Sequence, residues 1–343
     1  MISKAWREPD THGRNQGGPY LRMTDSIQTW AEKVLAGDRR AIARAISAVE
    51  CGDSLGTELL KRLFSASGKA EVVGVTGSPG TGKSTLVEKL AGAYRAAGAR
   101  VGIVAVDPTS PFSGGALLGD RIRMQSLASD KEIYIRSMAT RGHLGGLAPT
   151  THDVVAILDA AGCDVVLIET VGVGQDEVEV ARLADATVLL LVPGMGDDVQ
   201  TFKAGVMEIA DLYVLNKTDL PGADRLAQEV EAMLSAASSR GDGWRPPIVK
   251  AIATTGWGLG EVKQALEQFR CFQEQSAGKE KRRRVYWRSR LLELLRQNLF
   301  EKVASERLGD GSLEQYVEDL LQHRADPYSL VGRIVADSLR AGD

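Results

Sequence analysis

Seven short runs of β-branched and aliphatic residues, each separated from the next by other sequence, limit the fold of this chain more than any other feature. The runs are VVGV (72–75), VGIVAV (101–106), IYI (133–135), DVVLIE (164–169), TVLLLV (187–192), LYVL (212–215) and PIVKAI (247–252). Most are apolar at successive positions, so a strand built from them must be covered on both faces. Between them lie stretches such as 83–97, where Leu86, Leu90 and Tyr94 share one helical face. Such alternation predicts an α/β fold, a mostly parallel sheet with helices on both faces.

The flanks read differently. Residues 1–22 are polar and rich in Gly and Pro without periodicity, which predicts a loose N-terminal arm. Residues 23–69 carry helical spacing (Ile27, Trp30, Val34; Ile42, Ile46, Val49; Leu59, Leu60, Leu63, Phe64) and predict an N-terminal helical segment. The α/β domain then occupies 70–277. From 278 to 343 the chain opens with GKEKRRR and continues as an amphipathic helix in which Leu291, Leu295, Leu299 and Val303 recur every four residues beside Leu292 and Phe300. That stripe needs a partner surface, either in its own domain or on a second subunit. The basic cluster reads as a solvated helix start or as a binding patch.

With 343 residues, 43% hydrophobic and 25% charged, the chain can bury a full core. A net charge of −3 gives no general reason to expect a nucleic-acid partner. Cys51, Cys163 and Cys271 lie far apart, in neither a zinc nor a disulfide pattern. With no long apolar run and no apolar signal core at the N-terminus, this predicts a reducing, cytoplasmic setting and no membrane partner.

Gly77, Ser78, Pro79, Gly80, Thr81, Gly82, Lys83 and Ser84, followed by Thr85, satisfy the phosphate-loop spacing G-x-x-x-x-G-K-[ST]. The context is also right, with a strand before and a helix after. Glycines let backbone N–H groups turn inward on phosphates, and the helix start adds its positive dipole end. Lys83 is expected to reach the β- and γ-phosphates and the Ser84 hydroxyl to ligate Mg²⁺. The expected fold is therefore that of a P-loop NTPase.

Asn216-Lys217-Thr218-Asp219 ends the run 212–215, where open α/β sheets bind ligands. A carboxylate at Asp219 can accept from both N1–H and the exocyclic amine of guanine, whereas adenine would leave it unpaired. Asn216 is expected at N7 and the Lys217 stem on the ring, which points to GTP and GDP. The Ala253-Thr254 turn is a softer candidate for the other edge of the base.

Three further acids sit where strands or loops would face the phosphates: Asp107 in VDPTSP, Asp120 after FSGGALLGD's glycines, and Glu169 in IETVGVGQDE. Mg²⁺ keeps several waters, so Ser84 is expected directly and the acids mostly through water. Asp120 serves equally well as the N-cap of the helix beginning at Arg121. Gly172 keeps the spacing for a backbone N–H on the γ-phosphate, but Val173 follows it, and Gln175 lies two residues further on. The stretch thus reads as a switch lacking its own water-positioning residue. PGMGDDVQTFKAG (193–205) is either a turn with a helix cap or a mobile loop on the nucleotide face.

On GSPGTGKST (77–85), VAVDPTSPFSGGALLGDRIRM (104–124), HLGGL (143–147), DVVLIETVGVGQDE (164–177), PGMGDDVQTFKAGVMEIAD (193–211) and NKTD (216–219), the chain resembles the MeaB/ArgK G-protein chaperones. The resemblance covers about 25–275 and, more loosely, the C-terminal helices. It implies a slow GTPase, stimulated by an adenosylcobalamin-dependent acyl-CoA mutase of the methylmalonyl-CoA type, whose nucleotide state gates cobalamin loading and removal of damaged cofactor. It also implies a homodimer through the C-terminal helices. By position it makes Asp107–Asp120 the first switch, with Arg121 as its basic residue, and Glu169–Glu177 the second. Gly194–Gly205 becomes a third that touches the partner, and Lys203 in it is similar to a family lysine implicated in stimulated hydrolysis. One departure is Ile252, where the family often has Ser before the last base-contacting turn. Two other functions compete: a kinase linked to amino-acid transport, which needs an acceptor pocket, and a nickel metallochaperone GTPase, which needs a His- or Cys-rich segment. Four His and three Cys are present, all scattered.

Overall fold

The computed structural model describes residues 26–107, 127, 129–139, 150–170, 176–194, 208–236, 242–309 and 311–340. The described residues fall into two compact units, one drawn from Met1–Val73 and Ser84–Val171, the other from Gly74–Lys83 and Gly172–Asp343.

The first unit begins with three helices, α1 (Ile27–Leu35), α2 (Arg39–Glu50) and α3 (Ser54–Leu63). Each starts where a short polar side chain takes a free N–H of the first turn. Ser26 Oγ accepts from Thr29 N at 3.2 Å, Asp38 Oδ1 from Ala41 N at 2.7 Å and Asp53 Oδ1 from Leu55 N at 3.0 Å. The chain continues through β1 (Glu71–Thr76), α4 (Lys83–Ala96), β2 (Val101–Asp107), β3 (Ile133–Ala139), α5 (Thr150–Ala160) and β4 (Val165–Glu169). Most of the helical spacing read from sequence is the buried face: Trp30, Val34, Ile42, Ile46, Val49, Leu59 and Leu63 are buried, Ile27 and Leu60 are half-buried and Phe64 is exposed, and α1, α2 and α3 pack on one another and on α5. Asp159, near the end of α5, accepts from the backbone N–H of Gly68, from Lys69 N at 3.1 Å and from Ala70 N at 3.0 Å, which fixes the entry to β1. β2 runs parallel to β3 and to β4, with Val101 opposite Ile133 and Val165.

The second unit takes the end of β1 and continues with α6 (Asp176–Leu183), β5 (Ala186–Leu191), β6 (Leu212–Leu215), α7 (Ala223–Ala236), β7 (Ile248–Lys250), α8 (Leu259–Gln275), α9 (Gly278–Arg307), α10 (Ser312–Leu321) and α11 (Pro327–Arg340). β5 and β6 are parallel, as are β6 and β7. Leu189, Leu191, Tyr213 and Leu215 form a core cluster with Leu226 and Val230 of α7. α8 also packs on β5 and β6.

The strands form one seven-stranded sheet of order β3-β2-β4-β1-β5-β6-β7, with β1 shared between the units. All seven apolar runs form strands, and the α/β expectation holds. The last run falls furthest short of its expected length: β7 stops at Lys250, and Ile252 forms an isolated antiparallel bridge with Trp257. No helix among the described residues is long and apolar enough to cross a membrane.

α9 runs for 30 residues, packs on α6, α8 and α11, and turns its leucine stripe outward. Leu291 and Phe300 are 67% and 66% exposed, and Leu292, Leu295 and Leu299 are exposed beside them. Leu313, Val317 and Leu321 of α10 form a second exposed stripe at the same four-residue spacing.

Candidate nucleotide site

In the second unit the loop Gly77–Lys83 follows β1, and two of its glycines are obligatory by geometry. Gly77 has φ of 143°, and a Cβ there would lie 2.5 Å from the Leu190 carbonyl oxygen. Gly82 has φ of 96°, and its Cβ would lie 2.5 Å from Asn216 Nδ2. Any side chain would push the loop off the sheet or off Asn216.

The loop is held from inside by Thr81, whose Oγ1 donates to Ser78 O at 2.8 Å. Lys83 Nζ donates to Gly77 O at 2.7 Å and to Ser78 O at 3.1 Å. The buried ammonium therefore lies under the loop, satisfied by carbonyls, with its charge already at the place where a phosphate chain would be cradled.

Asn216, only 2% exposed, ties this loop to the loop after β7. Its Nδ2 donates to Thr81 O at 2.8 Å, and its Oδ1 accepts from Ala253 N at 2.9 Å. Sequence reasoning placed Asn216 on a purine N7 and the Ala253 turn on the other base edge. In this structure the Asn216 amide and the Ala253 N–H form the brace, and Thr254 is exposed. Lys217 adopts a left-handed backbone, φ of 56°, and its Nζ donates to Gly80 O at 2.8 Å, so its stem runs alongside the loop. Thr218 Oγ1 donates to Ala251 O at 3.1 Å, and Asp219 next to it is exposed, its carboxylate available at the carboxyl end of β6. Nothing in the N-K-x-D spacing alone announced the brace; a buried Asn after an apolar strand is the signal that could have.

In the first unit, Ser84 Oγ donates to Glu169 Oε1 at 2.6 Å, with the two residues 8% and 5% exposed. Glu169 pairs in register with Ala105, and Asp107 closes β2 two residues further on. The adjacent parallel strands β2 and β4 thus end on acids. The Asp107 side chain, Asp120, Arg121, Gly172 and Lys203 lie outside the described residues, as do the segments of the expected switches around them.

Comparison with known proteins gives the chain its family. Residues 42–307 match the family described as methylmalonyl-CoA mutase-associated GTPase MeaB. A putative GTPase of Pyrococcus abyssi is 45% identical over 318 residues, 92% of this chain and 98% of that protein. The GTPase ArgK of Escherichia coli is 35% identical over 292 residues, 83% of this chain and 87% of that one. Among solved structures, the crystal structure of a LAO/AO transport system kinase superposes with a TM-score of 0.66 at 26% identity, covering 92% of this chain and 97% of its own. The chain therefore belongs to the mutase-associated MeaB family and is a P-loop GTPase, as its motifs lead one to expect.

Proposed function

We propose that this GTPase binds GTP and GDP with Mg²⁺, hydrolyses GTP slowly by itself, and serves as the chaperone of an adenosylcobalamin-dependent acyl-CoA mutase of the methylmalonyl-CoA type. In this reading its nucleotide state gates cofactor loading and the clearing of damaged cobalamin. The observation that supports the guanine half is the exposed Asp219 carboxylate at the carboxyl end of β6, beside the buried Asn216 amide that joins the phosphate loop and the Ala253 loop. The family description supports the mutase half.

The chain's own residues divide the work. Backbone N–H groups from Gly77, Ser78, Pro79's neighbours and Gly80 to Thr85 turn toward the phosphates at the start of α4. Lys83 would exchange its two carbonyl partners for β- and γ-phosphate oxygens, moving little because its ammonium already sits beneath the loop. Asp219 takes the guanine edge, and the Lys217 stem lies against the ring. The donor set at Ser84 and Glu169 is all oxygen, one hydroxyl and one carboxylate in contact, which fits a hard cation that retains waters. Ser84 would hold Mg²⁺ directly, with Glu169, Asp107 and Asp120 through water; when bound, the ion supplies charge stabilisation at the phosphates. Chemistry of this kind is mostly positioning and electrostatics, so a site without its own water-positioning Gln waits for a partner, with Lys203 contributing to the stimulated state. The exposed stripes of α9 and α10 support a homodimer through the C-terminal helices.

GTP turnover with and without a purified mutase tests the proposal. Stimulation by at least one cobalamin-dependent acyl-CoA mutase is expected. No stimulation by any of them, together with phosphate transfer to a small acceptor, would favour the kinase reading that a structural relative's name suggests.

A further inference from the structure

The amino end of β6 carries a buried ion pair that the nucleotide site does not use. Asp211, 1% exposed, accepts from Arg282 Nη1 at 2.9 Å and Nη2 at 2.6 Å, and from Thr187 N at 2.9 Å. Arg282 also donates to Asp185 O at 3.1 Å and lies over the Phe269 ring, 5.0 Å from its centroid. Trp244 Nε1 donates to Asp211 O at 2.9 Å. Within the basic start of α9, Lys281, Arg283 and Arg284 are exposed, while Arg282 turns inward. Arg282 lies in the second turn of α9 and is held inward by its two bonds to Asp211. Burial works to lower the Arg282 pKa, but the Asp211 bond and charge outweigh it and raise it.

The same strand that supplies Thr187 reaches the phosphate loop at its other end. Gly77 sits so close to Leu190 that an added Cβ would lie 2.5 Å from its carbonyl oxygen. Thr187 and Leu190 are three residues apart on β5, roughly 10 Å of rigid strand. On the far side of the pair, α8 and α9 meet in a tight junction. Ala277 is left-handed with φ of 53°, and a Cβ on Gly278 would lie 2.2 Å from Gln273 Oε1. A left-handed alanine is a costly conformation that the surroundings must hold in place.

We propose that β5 and the Asp211–Arg282 pair form a mechanical link through which the state of the phosphate loop sets the orientation of α9 about the Ala277–Gly278 junction. Coupling of this kind requires that α9 have two arrangements, a requirement that the comparison of the two nucleotides below tests. The link rests on the reading that Gly77–Ser84 binds nucleotide.

Hydrogen exchange of α9 amides in the full chain, with GDP and with a non-hydrolysable GTP analogue, tests it alongside nucleotide affinity. In the wild type, α9 exchange should differ between the two nucleotides. Arg282→Met should shrink that difference several-fold while both nucleotides bind with unchanged affinity and α9 exchange with GDP keeps its wild-type rate, which simple fraying of the helix would not allow. Should Arg282→Met fail to fold, Arg282→Lys keeps the charge but loses the fork and should shrink the difference partly. α9 exchange that ignores nucleotide in the wild type, or a full difference in the folded variant, would overturn the link. Loss of all nucleotide binding in the wild type would overturn the functional reading first and the link with it.

Discussion

Truncating Asn216 to Ala removes both bonds of the brace at once. Ala253 N–H and Thr81 C=O then lose their partners at residues that are themselves buried. Each orphaned group costs about 1–3 kcal/mol, so the folded state should lose about 2–6 kcal/mol, less where water enters the vacated space. Because the brace fixes the phosphate loop against the base loop, part of that loss should appear as weakened nucleotide binding, tenfold for each ~1.4 kcal/mol. Asn216→Asp separates the two ends. It keeps the acceptor for Ala253 but sets a buried carboxylate oxygen against the Thr81 carbonyl, so it should be no more stable than the Ala variant and lose comparable affinity. Urea unfolding and competition against a fluorescent GDP would measure the two quantities. Wild-type midpoint and wild-type GTP affinity in Asn216→Ala would refute the reasoning.

The Ser84–Glu169 contact predicts that Glu169→Ala lowers Mg²⁺-dependent GTP turnover about 10- to 100-fold, the usual cost of removing a ligand's supporting partner. Gln175→Ala should spare the unstimulated rate; the reverse pattern in a Mg²⁺ titration would refute the assignment. Burial pushes the Cys163 thiol up to about 12 from an ordinary 9.0. The folded state therefore holds that proton after the unfolded chain has released it, and stability should fall as pH rises from 9 toward 12. Cys163→Ala should flatten that fall in pH-dependent melting, and iodoacetamide at pH 9 should label exposed Cys51 well before Cys163. The outward stripe of α9 predicts a dimer by sedimentation velocity, converted to monomer by Leu295→Asp without loss of GDP affinity.

Strand positions were legible in the sequence because buried parallel strands are apolar on both faces, and runs such as DVVLIE have few other folds open to them. The phosphate loop was legible because Gly77 and Gly82 stand at fixed offsets for steric reasons that the structure makes explicit. The partners of polar side chains were not. Asn216 bridges two loops, a role its motif spacing does not specify, and Arg282 looked like part of a solvated basic cluster but is the one that turns onto Asp211. Both are decided by long-range juxtaposition, which local periodicity does not encode. The amphipathic pattern of α9 was plain from its spacing, yet the same pattern served a domain core or a second subunit equally well. Its exposure in one copy favours the second.

The most direct test of the account is calorimetric titration of GDP, ADP and xanthosine diphosphate into the wild type and Asp219→Asn. The brace and the exposed Asp219 carboxylate predict one GDP per chain, with ADP at least about a thousandfold weaker, a margin of ~4 kcal/mol. In Asp219→Asn, GDP should weaken and xanthosine diphosphate tighten. Equal binding of ADP and GDP by the wild type, or unchanged GDP affinity in the variant, would contradict the assignment of this edge of the sheet to guanine.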